Sequence, residues 1–156
     1  MSGPSHVTNK MHDPHRWDID GTINVTGVLN ASGTVNIQGR ADGATITLGT
    51  PAANARTVTV QLNDAIGTAV ASAQTVKLHL FADAGGLTYA TTGGSTGIAD
   101  AGAGAILALV AKKLFSARSD ATGLIELTWT DTASEVAFLG VELPSGRTVF
   151  SAALTI

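Results

Sequence analysis

The sequence predicts an all-β protein: a C-terminal antiparallel sandwich, preceded by an extended arm and a short repeated β-segment. Three observations carry this. The chain of 156 residues is 44% hydrophobic but only 4% aromatic, with 18 glycines, so Ala, Val, Thr, Ser and Gly dominate. Its apolar stretches mostly alternate with polar residues and are punctuated by turn residues at roughly eight- to twelve-residue intervals. And "GTINVTG" (21–27) returns twelve positions later as "GTVNIQG" (33–39).

Residues 1–18 read as an arm. They hold Pro4, Pro14 and three histidines with little periodic apolar character, too little to bury a core. Trp17 is the expected anchor, with Arg16 and His15 beside it as candidate partner contacts, because buried aromatic residues dominate interface energies.

Residues 19–54 hold the repeat. Ile23 and Val25 in the first phrase, and Val35 and Ile37 in the second, alternate with Thr, Asn and Gln as in half-buried strands. A third phrase, "GATITLG" (43–49), keeps the spacing but carries Ile46 and Leu48 one position later, which turns them to the other face if the turn is unchanged. Two apolar side chains per strand, at roughly 1.5–3 kcal/mol each when fully buried, do not offset the ordering of some thirty residues. Short repeated units need neighbours. The segment is therefore expected to be an intertwined base or stalk, trimeric, with Ile23, Val25, Val35, Ile37, Ile46 and Leu48 at its contacts. The alternative is a meander laid against the C-terminal domain of the same subunit.

Residues 55–156 are expected to form the sandwich domain. "TVTVQL" (57–62) sends Val58, Val60 and Leu62 inward, and "NDAIG" (63–67) is a turn. "TVKLHLF" (75–81) buries Val76, Leu78 and Leu80 and leaves Lys77 and His79 outside; a Gly-rich excursion follows over 83–104. "AGAILALVAKKLFSAR" (103–118) has helical propensity in its Ala, Leu and Lys. Gly102 and Gly104, the missing cap and the neighbouring strands favour a hairpin instead, "AILALV" and "LFSAR" turning at 111–113. "LIELTWT" (124–130) points Ile125, Leu127 and Trp129 to one face, with Trp129 as the expected core centre. "EVAFLGVEL" (135–143) and "RTVFSAALTI" (147–156) meet in a tight "PSG" turn. The strand count and spacing fit an immunoglobulin-like arrangement.

Charge and composition narrow the function. Charged residues are 13% of the chain, about half the usual share, and the net charge is −3, without the clustered Lys and Arg that nucleic acid requires. Cysteine is absent, which removes disulfides and thiolate metal sites. No apolar run approaches the roughly 18 residues that span a bilayer, so no membrane partner is expected. The N-terminal residues lack the apolar stretch of a secretory signal, and the chain is expected to fold where it is made.

Chemistry-bearing patterns are sparse. His6, His12 and His15 with Asp13, Asp18 and Asp20 match no zinc spacing, and "DIDG" (18–21) lacks the later ligands of a calcium loop. Of the only glutamates, Glu126, Glu135 and Glu142, two lie on outward faces of predicted strands and read as solvating acids rather than a glycosidase pair. His79 alternates outward with no partner identifiable from the sequence. No serine sits in a Gly-x-Ser-x-Gly elbow, and "GGLTYATTGGSTG" lacks the Lys-Ser/Thr ending of a phosphate loop. No catalytic residue, cofactor or metal is assigned, and the chain is expected not to be an enzyme.

The C-terminal hundred residues resemble a domain of tailed-bacteriophage and prophage virion proteins. The resemblance runs from "TVTVQLNDAIGTAVASAQTVKLHLFADAGG" through a Gly/Thr-rich middle to "LALVAKKLFSARSDATGLIELTWTDTASEVAFLGVELPSGRTVFSAALTI". Its most telling pieces are "DATGLIELTWT" and "VELPSGRTVFSAALTI"; "AKKLFSARS" departs in being more basic, and the first fifty residues are not covered. The resemblance implies a β-sandwich displayed on a virion, as part of a head decoration (cement) protein or head fibre. Joined to the homotrimeric base expected from the repeat, it implies attachment to the major capsid protein or another virion protein, with the chain made in the cytoplasm of the bacterial host. A rival reading is a tail fibre, spike or neck component that binds host-surface glycan through Tyr89 and the loop at 83–104.

Overall fold

The computed structural model of the chain describes residues 39–91 and 95–156, with backbone alone for Ser95 and Thr96. The arm and the first two repeat phrases, with Arg16, His15, Trp17, Ile23, Val25, Val35 and Ile37, lie outside the described residues. The described residues belong to one compact unit beginning at Asn36.

Nine strands and no helix are described. Strands β1 (Gly43–Leu48), β2 (Ala55–Asn63), β7 (Leu124–Asp131) and β4 (Ser95–Asp100) make one antiparallel sheet in the order β1-β2-β7-β4. The second sheet runs β5-β6-β3-β8-β9, from β5 (Ala105–Val110), β6 (Leu114–Arg118), β3 (Thr75–Phe81), β8 (Phe138–Glu142) and β9 (Thr148–Phe150). The described residues are all-β, with two antiparallel sheets sharing one core.

Alternation decides which side chains enter that core. Val58, Val60 and Leu62 of β2, Val76, Leu78 and Leu80 of β3, and Ile125, Leu127 and Trp129 of β7 are all buried. The pleat sends every second residue to one face, and the antiparallel register Val58↔Leu127 and Val60↔Ile125 sets these residues side by side on the inner face. Trp129 is fully buried at 0% exposure. Its indole N–H finds no hydrogen-bond partner.

The third repeat phrase forms β1. It pairs with β2 along its whole length, from Gly43↔Asn63 to Leu48↔Val58. Ile46 and Leu48 are half-buried and pack against the core of their own chain, so the sheet takes in residues that composition alone groups with the repeat. Arg56 ties this corner to the C-terminus: its Nε donates to the Gly49 carbonyl at 2.7 Å, and its Nη1 to the Thr155 carbonyl at 3.2 Å.

The ambiguous stretch at 103–118 is a hairpin, β5 and β6, closed by the Lys113 N–H donating to the Val110 carbonyl at 3.1 Å. Lys112 takes a left-handed backbone, φ 63°, which no helix accommodates.

One loop recurs four times. Asp64, Asp83, Asp120 and Asp131 each accept backbone N–H groups from the residues two and four positions on. The distances are 3.1 and 2.9 Å for Asp64, 2.9 and 3.1 Å for Asp83, and 2.8 and 2.9 Å for Asp120. Asp131 accepts from Ala133 and Glu135. In each loop the residue three positions on has positive φ: Gly67, Gly86, Gly123 and Ser134. Three of the four share the sequence Asp-Ala-x-Gly. The carboxylate satisfies the donors that a tight turn frees, and glycine supplies the left-handed step.

Candidate binding surface

The outward-facing side chains of β3 and β8 gather the most chemically varied cluster among the described residues. The register Lys77↔Glu142, His79↔Gly140 and Phe81↔Phe138 puts Lys77, His79, Phe81 and Glu142 on one face, opposite the core. Gly140 is required here: a Cβ at that position would stand 2.8 Å from the Phe81 ring. The absent side chain lets Phe81 lie flat across β8. Phe150, paired with Gly140 on β9, meets Phe81 at 5.8 Å between ring centroids, tilted by 52°.

Tyr89 arrives from the loop after β3. Asp83 organises that loop, taking the Leu87 N–H on one oxygen and the Thr88 N–H, at 2.8 Å, on the other. Ala90 then donates to the Leu80 carbonyl at 2.9 Å, and Tyr89 is brought back opposite Phe81. The rings gather in a triangle: His79 meets Phe81 at 5.6 Å and 8°, Phe81 meets Tyr89 at 5.1 Å and 21°, and His79 meets Tyr89 at 6.0 Å and 26°. Such offset pairs add about 0.5–1.5 kcal/mol each beyond area burial.

A polar chain runs along the same face. His79 Nε2 lies 2.9 Å from Glu142 Oε2, and His79 Nδ1 lies 3.0 Å from the Tyr89 hydroxyl. Lys77 Nζ donates to Glu142 Oε1 at 3.3 Å. An ionised Glu142 accepts only, so Nε2 carries the proton of the neutral ring and Nδ1 accepts from the tyrosine hydroxyl. The His79 hydrogen bond, assisted by Lys77 and opposed by partial burial, holds the Glu142 carboxyl below its ordinary range. The chain fixes the ring orientations and leaves Tyr89 40% and Phe150 38% exposed, and Leu87, two residues before Tyr89 in the loop, is 90% exposed.

Beyond Lys77 the face dips into a shallow groove of about 350 Å³, lined by Thr75, Lys77, Leu109, Ser116, Glu142 and Pro144. An apolar platform beside hydrogen-bonding groups in a shallow, open setting suits adsorption of a ligand with one apolar and one polar aspect. Among the described residues, no group of three or more His, Cys, Asp or Glu side chains is placed to hold a metal.

Of the residues singled out from sequence, the structure places Ile46 and Leu48 on β1 against the core, and Tyr89 on this face. The partners of His79 are what sequence reasoning missed. They lie 10 and 63 positions away, and the available signal was that Lys77, His79 and Glu142 all occupy outward positions of their strands. No protein-family model matches the chain, and no curated protein or solved structure matches it either.

Proposed function

We propose that the chain is a non-enzymatic structural protein of a tailed-bacteriophage virion, a capsid decoration or cement protein or a head fibre. Its N-terminal part binds the shell, and its two-sheet unit is displayed outward. The observation that carries this reading is the build of the described unit. It closes a complete core between two sheets, while its distinctive side chains lie on an open strand face and at a sheet edge. Such surfaces act by contact, and the resemblance of the C-terminal hundred residues to virion proteins points the same way.

The strand orders support an immunoglobulin-like sandwich. β1-β2-β7-β4 follows the A-B-E-D order of that fold and β3-β8-β9 its C-F-G order, with the β5–β6 hairpin added beside β3. Homotrimerisation through the repeated segment would multiply weak shell contacts into avidity. The partners are then other copies of this chain and the major capsid protein or another virion protein, and the site of action is the particle. Quantitative mass spectrometry of purified virions tests it. A copy number comparable to the major capsid protein supports shell decoration; absence from the particle refutes the virion reading.

The ring platform favours a second reading, a tail fibre, spike or neck component that binds host-surface glycan. Exposed Tyr89 and Phe150 offer stacking faces for a sugar, and Glu142, Lys77 and His79 offer hydrogen bonds alongside. A glycan array with the intact chain and its Tyr89→Ala variant separates the two. A glycan retained by the parent and lost by the variant favours host recognition, whereas an empty array leaves decoration as the function.

A further inference from the structure

Among the described residues four strands form the sheet edges, and β5 differs from β1 and β9. Leu107, Leu109 and Val110 on it are 66%, 51% and 49% exposed, and only Ile106 is partly buried. β1, by contrast, alternates exposed threonines with half-buried apolar residues, and β9 is three residues long. A six-residue edge that presents apolar side chains to water and bonds to β6 on one side only is a template for another strand. Its regular part, Ala105 to Ala108, carries no charge. A bulge between Ala108 and Val110 and the lysines at 112 and 113 guard the far end only.

We propose that β5 is a self-pairing edge: β5 strands of two copies join antiparallel about a two-fold axis, merging two five-stranded sheets into one of ten. Charge selects this occupant and this direction. The turn end of β5 carries Lys112 and Lys113. The start of β5 lies beside the exposed Asp100 and the half-buried Glu126, which accept from the Gly102 and Ala103 N–H groups at 3.3 and 3.1 Å. Arg118, opposite Ala105, offsets one of these acids, leaving formal charges of +2 at one end and −2 + 1 = −1 at the other. Antiparallel pairing sets each basic end against an acidic end, twice. Parallel pairing sets lysines against lysines.

The two-fold lies perpendicular to the sheet, so both outer faces remain on one side and Leu107 meets an apolar residue of the other copy. Six residues a side bury less than the roughly 1,000 Å² of a stand-alone interface, so the contact is weak alone and strengthens where copies are held side by side. The proposal does not depend on the virion reading.

The chain has no cysteine, so single cysteines report the pairing in the full-length protein. Ala105→Cys, Leu107→Cys and Ala108→Cys are compared with Thr45→Cys on the β1 edge, under mild oxidation and on a non-reducing gel. Residues on the two-fold face their own copies at about 4.5–5.5 Å between Cα atoms, within disulfide reach. Each step away separates like positions by about 7 Å more. Crosslinked dimer should therefore peak at Leu107→Cys or Ala108→Cys, at least about tenfold above Thr45→Cys, and fall at Ala105→Cys. Adding Leu107→Lys to Ala108→Cys should cut the crosslink about tenfold with the melting temperature unchanged, as like charges then oppose each other on an exposed site. A flat profile, or crosslinking no faster than at Thr45→Cys, overturns the proposal. The same flat profile is what coverage of β5 by the chain's own N-terminal segment or by another protein would produce.

Discussion

Replacing Gly123 by Ala, with Gly67→Ala as its control, measures how tightly the Asp120 loop closes on the sheet. Both glycines end an Asp-Ala-x-Gly loop, and their φ angles nearly coincide, 78° and 86°. Any left-handed alanine costs about 1–2 kcal/mol, reduced by about 0.4–1 kcal/mol because alanine also restricts the unfolded chain. Gly67 has nothing within 4 Å of the added Cβ, so its substitution should cost about 1 kcal/mol. At Gly123 the same Cβ would stand 2.7 Å from the Val70 carbonyl oxygen and 3.2 Å from that of Leu62. These are backbone atoms held in place: Val70 donates to the Leu62 carbonyl at 3.0 Å, and Leu62 to the Gly123 carbonyl at 2.9 Å. Relief means lifting the loop and loosening one or two of these bonds, at about 1 kcal/mol each, for a total near 3 kcal/mol. Thermal unfolding of the full chain reads the difference. At roughly 3–5 °C per kcal/mol for a unit of this size, Gly67→Ala should lower the midpoint by about 3–5 °C and Gly123→Ala by about 9–15 °C. Equal shifts would refute the steric argument and leave only the backbone conformation.

Trp129→Ala should cost about 3–5 kcal/mol, the range for emptying a large core site. Trp129→Phe should cost much less, because the indole N–H it removes is buried without a partner; urea midpoints of the two variants check the order. Acid stability follows from the aspartate loops. Backbone N–H bonds, from Leu87 foremost for Asp83 and from Leu124 foremost for Asp120, hold both carboxyls below their ordinary value of 3.8. Their contribution is fully present above that value and is lost as pH falls through the lower folded values. A D83N/D120N variant should therefore lose less stability between about pH 5 and pH 2 than the parent does, and parallel pH profiles would contradict the assignment.

Much of the fold was legible because its cause is local. The pleat forces alternation, so Val58, Val60 and Leu62 announce an inward face before any neighbour is known, and the same holds for β3 and β7. The hairpin at 103–118 was legible against its own helical propensity, through its flanking glycines and strand neighbours. The Asp-Ala-x-Gly loops were readable as turns one at a time, since both the carboxylate and the glycine act within five residues. What each loop packs against was not readable. The demand for glycine at 140 comes from a ring 59 positions earlier in the chain.

The candidate surface divides along the same line. By itself the sequence determined that Lys77, His79 and Glu142 point outward and that Tyr89 sits in a glycine-rich loop. Only the tertiary structure decided that β3 lies beside β8, with four strands intervening in the chain. That pairing joins the four residues into one hydrogen-bonded row. It likewise decided that β1 enters the sheet and that β5, among the described residues, pairs on one side only. A strand's pattern states how many faces it must bury. Which neighbour buries them is settled by how two sheets, taken whole, close over a common core.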